Sequence, residues 1–255
     1  MDRLTIIKVG GKVVEDSQSL NALLDQFKKI SGYKMLVHGG GTTATDIAGR
    51  LGIETKMVEG RRITDADMLD VVTMVYGGLV NKKVVAGLQA RNCNALGLTG
   101  ADLGLVQAKK RVIQDIDYGF VGDVEDVNSR ELRLLINENV IPVIAPLTHD
   151  GKGQLLNTNA DTMAAEIAAE LASYFNVFLF FCFEKKGVLL DQNDETSILY
   201  ELDSDLFQQY KEEGIINAGM IPKLENGFRA KRKGVKEVLI TNDQNIVTGR
   251  GTRLI

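Results

Sequence analysis

Met35-Leu36-Val37-His38-Gly39-Gly40-Gly41-Thr42-Thr43-Ala44-Thr45 is the stretch on which the fold turns. Four residues of strand character run into three glycines, and apolar residues then recur at helical spacing through Ala44, Ile47, Ala48 and Leu51. A strand, a bare turn and a helix start form an anion site: without Cβ atoms, backbone N–H groups can approach an oxyanion, and the helix N-terminus adds partial positive charge. The same triplet also serves a plain tight turn, so its neighbours must choose between the two.

Leu4 to Val9 is another apolar run that ends in Gly10-Gly11, and reads as a buried first strand. Ser19 to Ile30 follows as a helix with Leu20, Leu23, Leu24, Phe27 and Ile30 on one face. Strand, helix, strand, helix predicts parallel strands with crossover helices. Thr64, with Asp67 as capping partner, opens a long helix running toward Gln89. Its run offers more apolar surface than one face needs, which reads first as internal core and second as a subunit interface. From Asn94 to Val127, glycines punctuate short segments, which read as β-hairpins protruding from the sheet. Asn128–Asn139 and Asn159–Ser173 read as helices and Val140–Ala145 as a strand. Beyond a boundary at Ser173 come an apolar strand, Val177–Phe183, helices over Asp203–Glu213 and Met220–Lys233, and a strand over Val238–Thr241. No Pro/Ser-rich linker separates the halves, which allows one sheet to run through both.

The 255 residues suffice for one large domain or two modest ones. A formal charge of −4 argues against a nucleic-acid partner, because there is no domain-wide positive field. Cys93 and Cys182 lack metal or redox spacing and suit a reducing cytoplasm, and two histidines are too few for a His-rich metal centre. Phe175–Phe183 is too short to cross a bilayer, so no membrane partner is expected.

Several residues stand where chemistry needs them. Lys8 closes the first strand at the sheet edge shared with the triple glycine, where ligands of parallel sheets bind, although a strand-end lysine also snorkels to solvent. Asn157-Thr158-Asn159-Ala160-Asp161 offers two amides and a carboxylate in one turn before an alanine-rich helix, and also reads as that helix's cap. Lys223 lies in the first turn of a helix, where a cation is unfavourable unless an anion accompanies it. Gly39 to Ala44 satisfies the loose dinucleotide pattern, but the acid-ended strand such a unit requires has only Lys56-Met57-Val58-Glu59 to draw on.

Ile7-Lys8-Val9-Gly10-Gly11, Val37-His38-Gly39-Gly40-Gly41, Gly60-Arg61-Arg62-Ile63-Thr64, Gly119-Phe120-Val121-Gly122-Asp123, Leu156-Asn157-Thr158-Asn159-Ala160-Asp161, Gly219-Met220-Ile221-Pro222-Lys223 and Gly249-Arg250-Gly251-Thr252-Arg253 follow one another across nearly the whole chain. In order and spacing they resemble the amino acid kinase family, and more closely its acylglutamate branch. The resemblance implies an open αβα sandwich with a mainly parallel central sheet, as in carbamate kinase-like folds, plus protruding β-hairpins. It implies residues 1–173 as an N-acylglutamate-binding and dimerisation domain and 174–255 as a nucleotide-binding domain. The implied reaction is ATP-dependent phosphorylation of the γ-carboxylate of N-acetyl-L-glutamate in arginine biosynthesis, with Mg²⁺ on the nucleotide, in a cytoplasmic homodimer. N-succinyl-L-glutamate is the alternative substrate. An NAD-binding oxidoreductase and a non-catalytic amino-acid sensor are the competing classes.

Matched motif to motif, the resemblance makes Lys8 and Lys223 stabilisers of the transferring phosphoryl group and Asp161 the residue that holds them. Gly40 and Gly41 become amide donors, and Arg62 and Asn157 ligands of the amino-acid end. Gly11, Glu184, Lys185, Lys186, Gly187, Val188, Leu189, Ile215, Ile216 and Asn217 become nucleotide contacts. The chain departs from the family pattern at Phe183-Glu184-Lys185-Lys186 and at Leu103, where glycine is usual. The resemblance sets the loop around Leu103 beside the acyl pocket.

Overall fold

The computed structural model describes residues 1–58, 61–113, 115–216 and 219–255. The first strand, β1 (Arg3–Val9), leads into a short helix α1 (Gly11–Glu15) and then α2 (Ser17–Lys29), whose N-terminus is capped by Asp16 accepting from the Ser19 N–H at 2.7 Å. Strand β2 (Tyr33–His38) runs through the glycine turn into α3 (Gly41–Arg50). Two-residue strands β3 (Met57–Val58) and β4 (Arg61–Arg62) pair with each other outside the main sheet. A continuous helix then comprises α4 (Ala66–Val72), a π-helical stretch Thr73–Val80, and α5 (Asn81–Gln89).

Next come β5 (Ala95–Leu98), β6 (Val106–Lys110), β7 (Gly122–Val127), α6 (Ser129–Asn137), β8 (Ile141–Ile144), β9 (Leu147–His149), β10 (Leu155–Asn157) and α7 (Ala160–Leu171). The second half holds β11 (Asn176–Phe183), β12 (Val188–Leu189), β13 (Ile198–Leu199), β14 (Glu201–Leu202), α8 (Ser204–Glu212), α9 (Ile221–Arg232), β15 (Glu237–Asn242) and β16 (Thr252–Leu254).

Eight strands form the central sheet in the order β14-β16-β15-β11-β1-β2-β8-β5. Among the described residues of this sheet, only β15 and β16 pair antiparallel. The open αβα sandwich with a mainly parallel sheet is therefore present, and one sheet runs through both halves, joined where β1 pairs with β11. Strand alternation sorts side chains between the two faces. Leu4, Ile6, Met35 and Val37 pack with residues of α7 and α9 such as Ile167 and Leu224. Ile7, Val9 and Leu36 pack on the other face with residues of α2, α3 and α4 such as Phe27, Ala44 and Val72. The same alternation turns Lys8 toward α7 and α9, and His38 toward the long helix.

Two sequence-based expectations change, and two others are explained or weakened. The long helix is capped by Asp65, which accepts from the Met68 N–H at 2.9 Å, while Thr64 is buried in an isolated bridge to Gly119. Ala95–Leu98 belongs to the edge of the main sheet rather than to a protruding hairpin, and the hairpin region proper is β6 with β7, in a separate sheet with β9 and β10. Leu103 takes φ 55°, which explains why glycine suits that position. The dinucleotide reading loses its third parallel strand, because β3 is a two-residue strand paired off the sheet.

The helix Ala66–Gln89 is long and apolar enough, by length and composition, to cross a membrane. Here Val71, Val72, Val75, Val80, Val84 and Leu88 are buried in the core, whereas Met74 and Leu79 face outward.

Candidate functional site

Three charged side chains meet beyond the carboxyl ends of β1 and β2. Lys8 comes from the strand end, Asp161 from the first turn of α7 and Lys223 from the first turn of α9. Lys8 Nζ lies 2.8 Å from Asp161 Oδ1, and Lys223 Nζ donates to Oδ2 at 3.3 Å. The helix cap is a separate group: Asn159 accepts from the Thr162 N–H at 3.0 Å, which frees Asp161 to bridge the lysines. Burial pushes the Asp161 carboxyl up, but the two ammonium groups outweigh it and hold the carboxyl below the usual range. Burial, aided by Lys223 and opposed by Asp161, lowers Lys8 from its ordinary value. With all three groups ionised, one carboxylate faces two cations, and the surplus positive charge is available to an incoming anion.

Bare backbone borders this cluster. Among the described residues, the N–H groups of Gly40 and Gly41 find no acceptor within the protein, whereas the Thr43 N–H is taken by the Glu15 carboxylate at 2.8 Å. The glycines are needed for close approach. A Cβ on Gly40 would lie 3.0 Å from the Tyr76 ring, and one on Gly39 would lie 3.1 Å from the Gly11 nitrogen. The two glycine turns, Gly10-Gly11 and Gly39-Gly40-Gly41, thus pack backbone against backbone at the N-termini of α1 and α3.

A cavity of about 230 Å³ opens beside these amides, with Lys8, Asp161, Arg62 and Asn157 in its wall. Arg62 is buried, and its guanidinium donates to Gly41 O at 2.8 Å, Thr45 Oγ1 at 2.9 Å and Thr55 Oγ1 at 3.2 Å, so its plane is fixed. Asn157 Nδ2 donates to Thr64 Oγ1 at 3.0 Å, and its side-chain oxygen has no partner among the described residues. Gly11, expected among the nucleotide contacts, lines this cavity instead. Sequence reasoning missed Met57, Arg61, Tyr76, Val121 and Pro146, which complete the wall. Arg61 and Val121 lie inside quoted motifs; Tyr76 lies in an apolar run that reads only as core. The loop around Leu103 contributes nothing to the lining.

A second, mainly apolar cavity of about 90 Å³ is bounded by the expected Lys185, Gly187, Val188, Leu189, Ile215 and Ile216, together with Phe183, Gln192 and Met220. Glu184 and Lys186 do not line it. Glu184 turns to Lys12 at 2.8 Å, and Lys186 is exposed to solvent. Asn217 lies outside the described residues. No group of three or more His, Cys, Asp or Glu side chains converges among the described residues.

The fold sets a Lys–Asp–Lys cluster and two interlocked glycine turns beyond the carboxyl ends of a mainly parallel sheet, and the chain belongs to the amino acid kinase family, whose model matches residues 3–242. Among its relatives, the acetylglutamate kinase of Parabacteroides distasonis is 59% identical over 254 residues, covering the full length of both chains. A crystal structure of a Streptococcus mutans protein superposes with a TM-score of 0.84 at 27% identity over 98% of each chain. Carbamate kinase from Giardia lamblia, bound to AMP-PNP, shares the fold with a TM-score of 0.72 at 14% identity over 99% of this chain and 98% of that one.

Proposed function

We propose that the chain transfers the γ-phosphoryl group of ATP to the γ-carboxylate of N-acetyl-L-glutamate, as an acetylglutamate kinase of arginine biosynthesis. The observation that carries this reading is the Lys8–Asp161–Lys223 cluster, with Lys8 and Asp161 buried, beside the Gly40 and Gly41 amides that find no acceptor among the described residues. A side-chain carboxylate with a pKa of about 4.3 is already ionised at neutral pH, so no general base is required. One carboxylate oxygen attacks the γ-phosphorus as the bond to the β-bridging oxygen breaks, giving an acyl phosphate and ADP. The obstacle is repulsion between anions, and catalysis is positioning with charge neutralisation.

In this reading Lys8 and Lys223 flank the transferring group, Asp161 fixes both ammonium groups, and the Gly40 and Gly41 amides bind phosphoryl oxygens. Arg62 and Asn157 hold the amino-acid end in the larger cavity. The apolar cavity, including Lys185, Gly187, Val188, Leu189, Ile215 and Ile216, takes the nucleotide. The donor set suits Mg²⁺ bound chiefly by phosphates and water, since the one carboxylate of the cluster is held by lysines. When bound, the ion would neutralise phosphate charge. Residues 1–173 would then be the acceptor and dimerisation domain and 174–255 the nucleotide domain. Exposed Met74 and Leu79 on the long helix, with Leu96 on the open edge strand β5, support a homodimer. Two free, buried cysteines suit a cytoplasmic setting.

The test is ATP consumption with Mg²⁺ in the presence of N-acetylglutamate, hydroxylamine trapping the acyl phosphate as a hydroxamate. N-succinylglutamate belongs in the same assay, because Arg61 lines the acceptor cavity. Hydroxamate formed preferentially from the acetyl substrate is the expected result. Folded, ATP-binding protein that yields none from either substrate overturns the reading.

A further inference from the structure

His38 and Asn81 stand behind the glycine turn, on the sheet face opposite Lys8, and touch neither cavity. His38 is completely buried at the end of β2. Its Nδ1 lies 2.7 Å from the carbonyl oxygen of Gly39, and its Nε2 lies 3.2 Å from Asn81 Nδ2. The direction of these bonds follows from the partners. A carbonyl only accepts, so Nδ1 carries the proton. The Asn81 amide is oriented independently, because Nδ2 also donates to Val143 O at 2.8 Å while Oδ1 accepts from Lys82 Nζ at 3.1 Å. Asn81 therefore donates to a bare Nε2. Burial lowers the imidazole to about 4, which keeps the ring neutral and this tautomer available at working pH.

The Gly39 carbonyl belongs to the same planar peptide as the Gly40 N–H, and in a trans peptide the two point in opposite directions. Fixing one fixes the other. A Gly-Gly peptide is the linkage least restrained by its own side chains, so it needs an external hold. The hold reaches the turn through the π-helical stretch, whose last turn places Tyr76 and Val80 against Gly40 immediately before Asn81.

We propose that His38, held in its Nδ1–H tautomer by Asn81, is a positioning residue that locks the Gly39–Gly40 peptide so that the Gly40 N–H faces the transferring phosphoryl group. This rests on the kinase reading above. Asparagine can set an N–H near the place of Nδ1, whereas glutamine reaches only the place of Nε2. His38→Gln should therefore lower kcat by roughly 30-fold or more with both KM values within about threefold, and His38→Asn should recover at least about tenfold of that loss. Equal losses in both variants would assign His38 to packing alone, and no loss in His38→Gln would remove the lock; either overturns the proposal. The second measurement uses unaltered protein. With only two histidines in the chain, ¹⁵N imidazole spectra resolve His38, and a proton on Nε2 sinks the proposal even if the variants fail to fold. Should the wild-type enzyme make no acyl phosphate, the functional reading falls while the tautomer still decides whether the peptide is held as described.

Discussion

The two cavities are built from different materials. The larger one is walled by charge and bare backbone: Lys8 against the buried Asp161 carboxylate, which Lys223 also contacts from outside the wall, a fixed guanidinium, and amides exposed by glycine. The smaller one is walled by Phe183, Val188, Leu189, Ile216 and Met220, with few polar groups. In the proposed reaction the first would stabilise charge that shifts during transfer, and the second would hold a flat apolar body wherever the reaction stands. Loss of a charged group from the first should thus appear in turnover, and loss of an apolar group from the second in affinity.

Lys8→Ala provides the largest expected break, a fall in kcat of about 10³-fold with substrate binding largely retained. Near-normal turnover would remove Lys8 from the chemistry and erase the contrast. The next effect is on stability and concerns the interior behind the glycine turn. His38 is lowered to about 4 in the folded chain from an ordinary 6.5. As pH falls, the unfolded chain takes up the proton first, so stability drops between pH 6.5 and 4, by about 3 kcal/mol in all. Urea titrations over this range should show that drop in the wild type, and a shallower one in His38→Asn. Ile216→Ala should raise the KM for ATP about tenfold with kcat changed less than about twofold, and a kcat loss exceeding the KM change would break the comparison from the other side. Glu184→Gln should do least. Its ion pair with Lys12 is exposed on both sides, so Tm should move by no more than about 1–2 °C, and high salt should remove the difference.

The sequence made the central strands readable because β1, β2, β11 and β15 are short apolar runs with glycine or polar stops. The helix starts were readable at Asn128, Asn159 and Asp203, which precede apolar periodicity and prove to be the caps. Thr64 misled because Asp65, beside it, is an equally good cap, and only the bridge from Thr64 to Gly119 decides between them. The π-helical stretch was hidden, since a run as apolar as Val71 to Val80 carries no period that separates one helix type from another. Ala95–Leu98 was hidden for a different reason: its glycine imitates a turn, yet Gly97 is required because a Cβ there would collide with Asn81.

At the site, Lys8, Asp161 and Lys223 were legible from strand ends and helix starts, together with the motif order. The His38–Asn81 pair was not, because 43 residues separate its members and each reads alone as an ordinary core polar residue.

The pairing of β1 with both β2 and β11 also governs which parts of the enzyme can loosen. Ile6, Ile7, Lys8 and Val9 are hydrogen-bonded on both edges and covered on both faces. Their amides can exchange with solvent deuterium only when the sheet itself comes apart, and their exchange should report the free energy of global unfolding. Lys8 is thereby set in the slowest-exchanging layer of the molecule. Its backbone should therefore stay closed through each turnover, leaving any local opening to the loops around it.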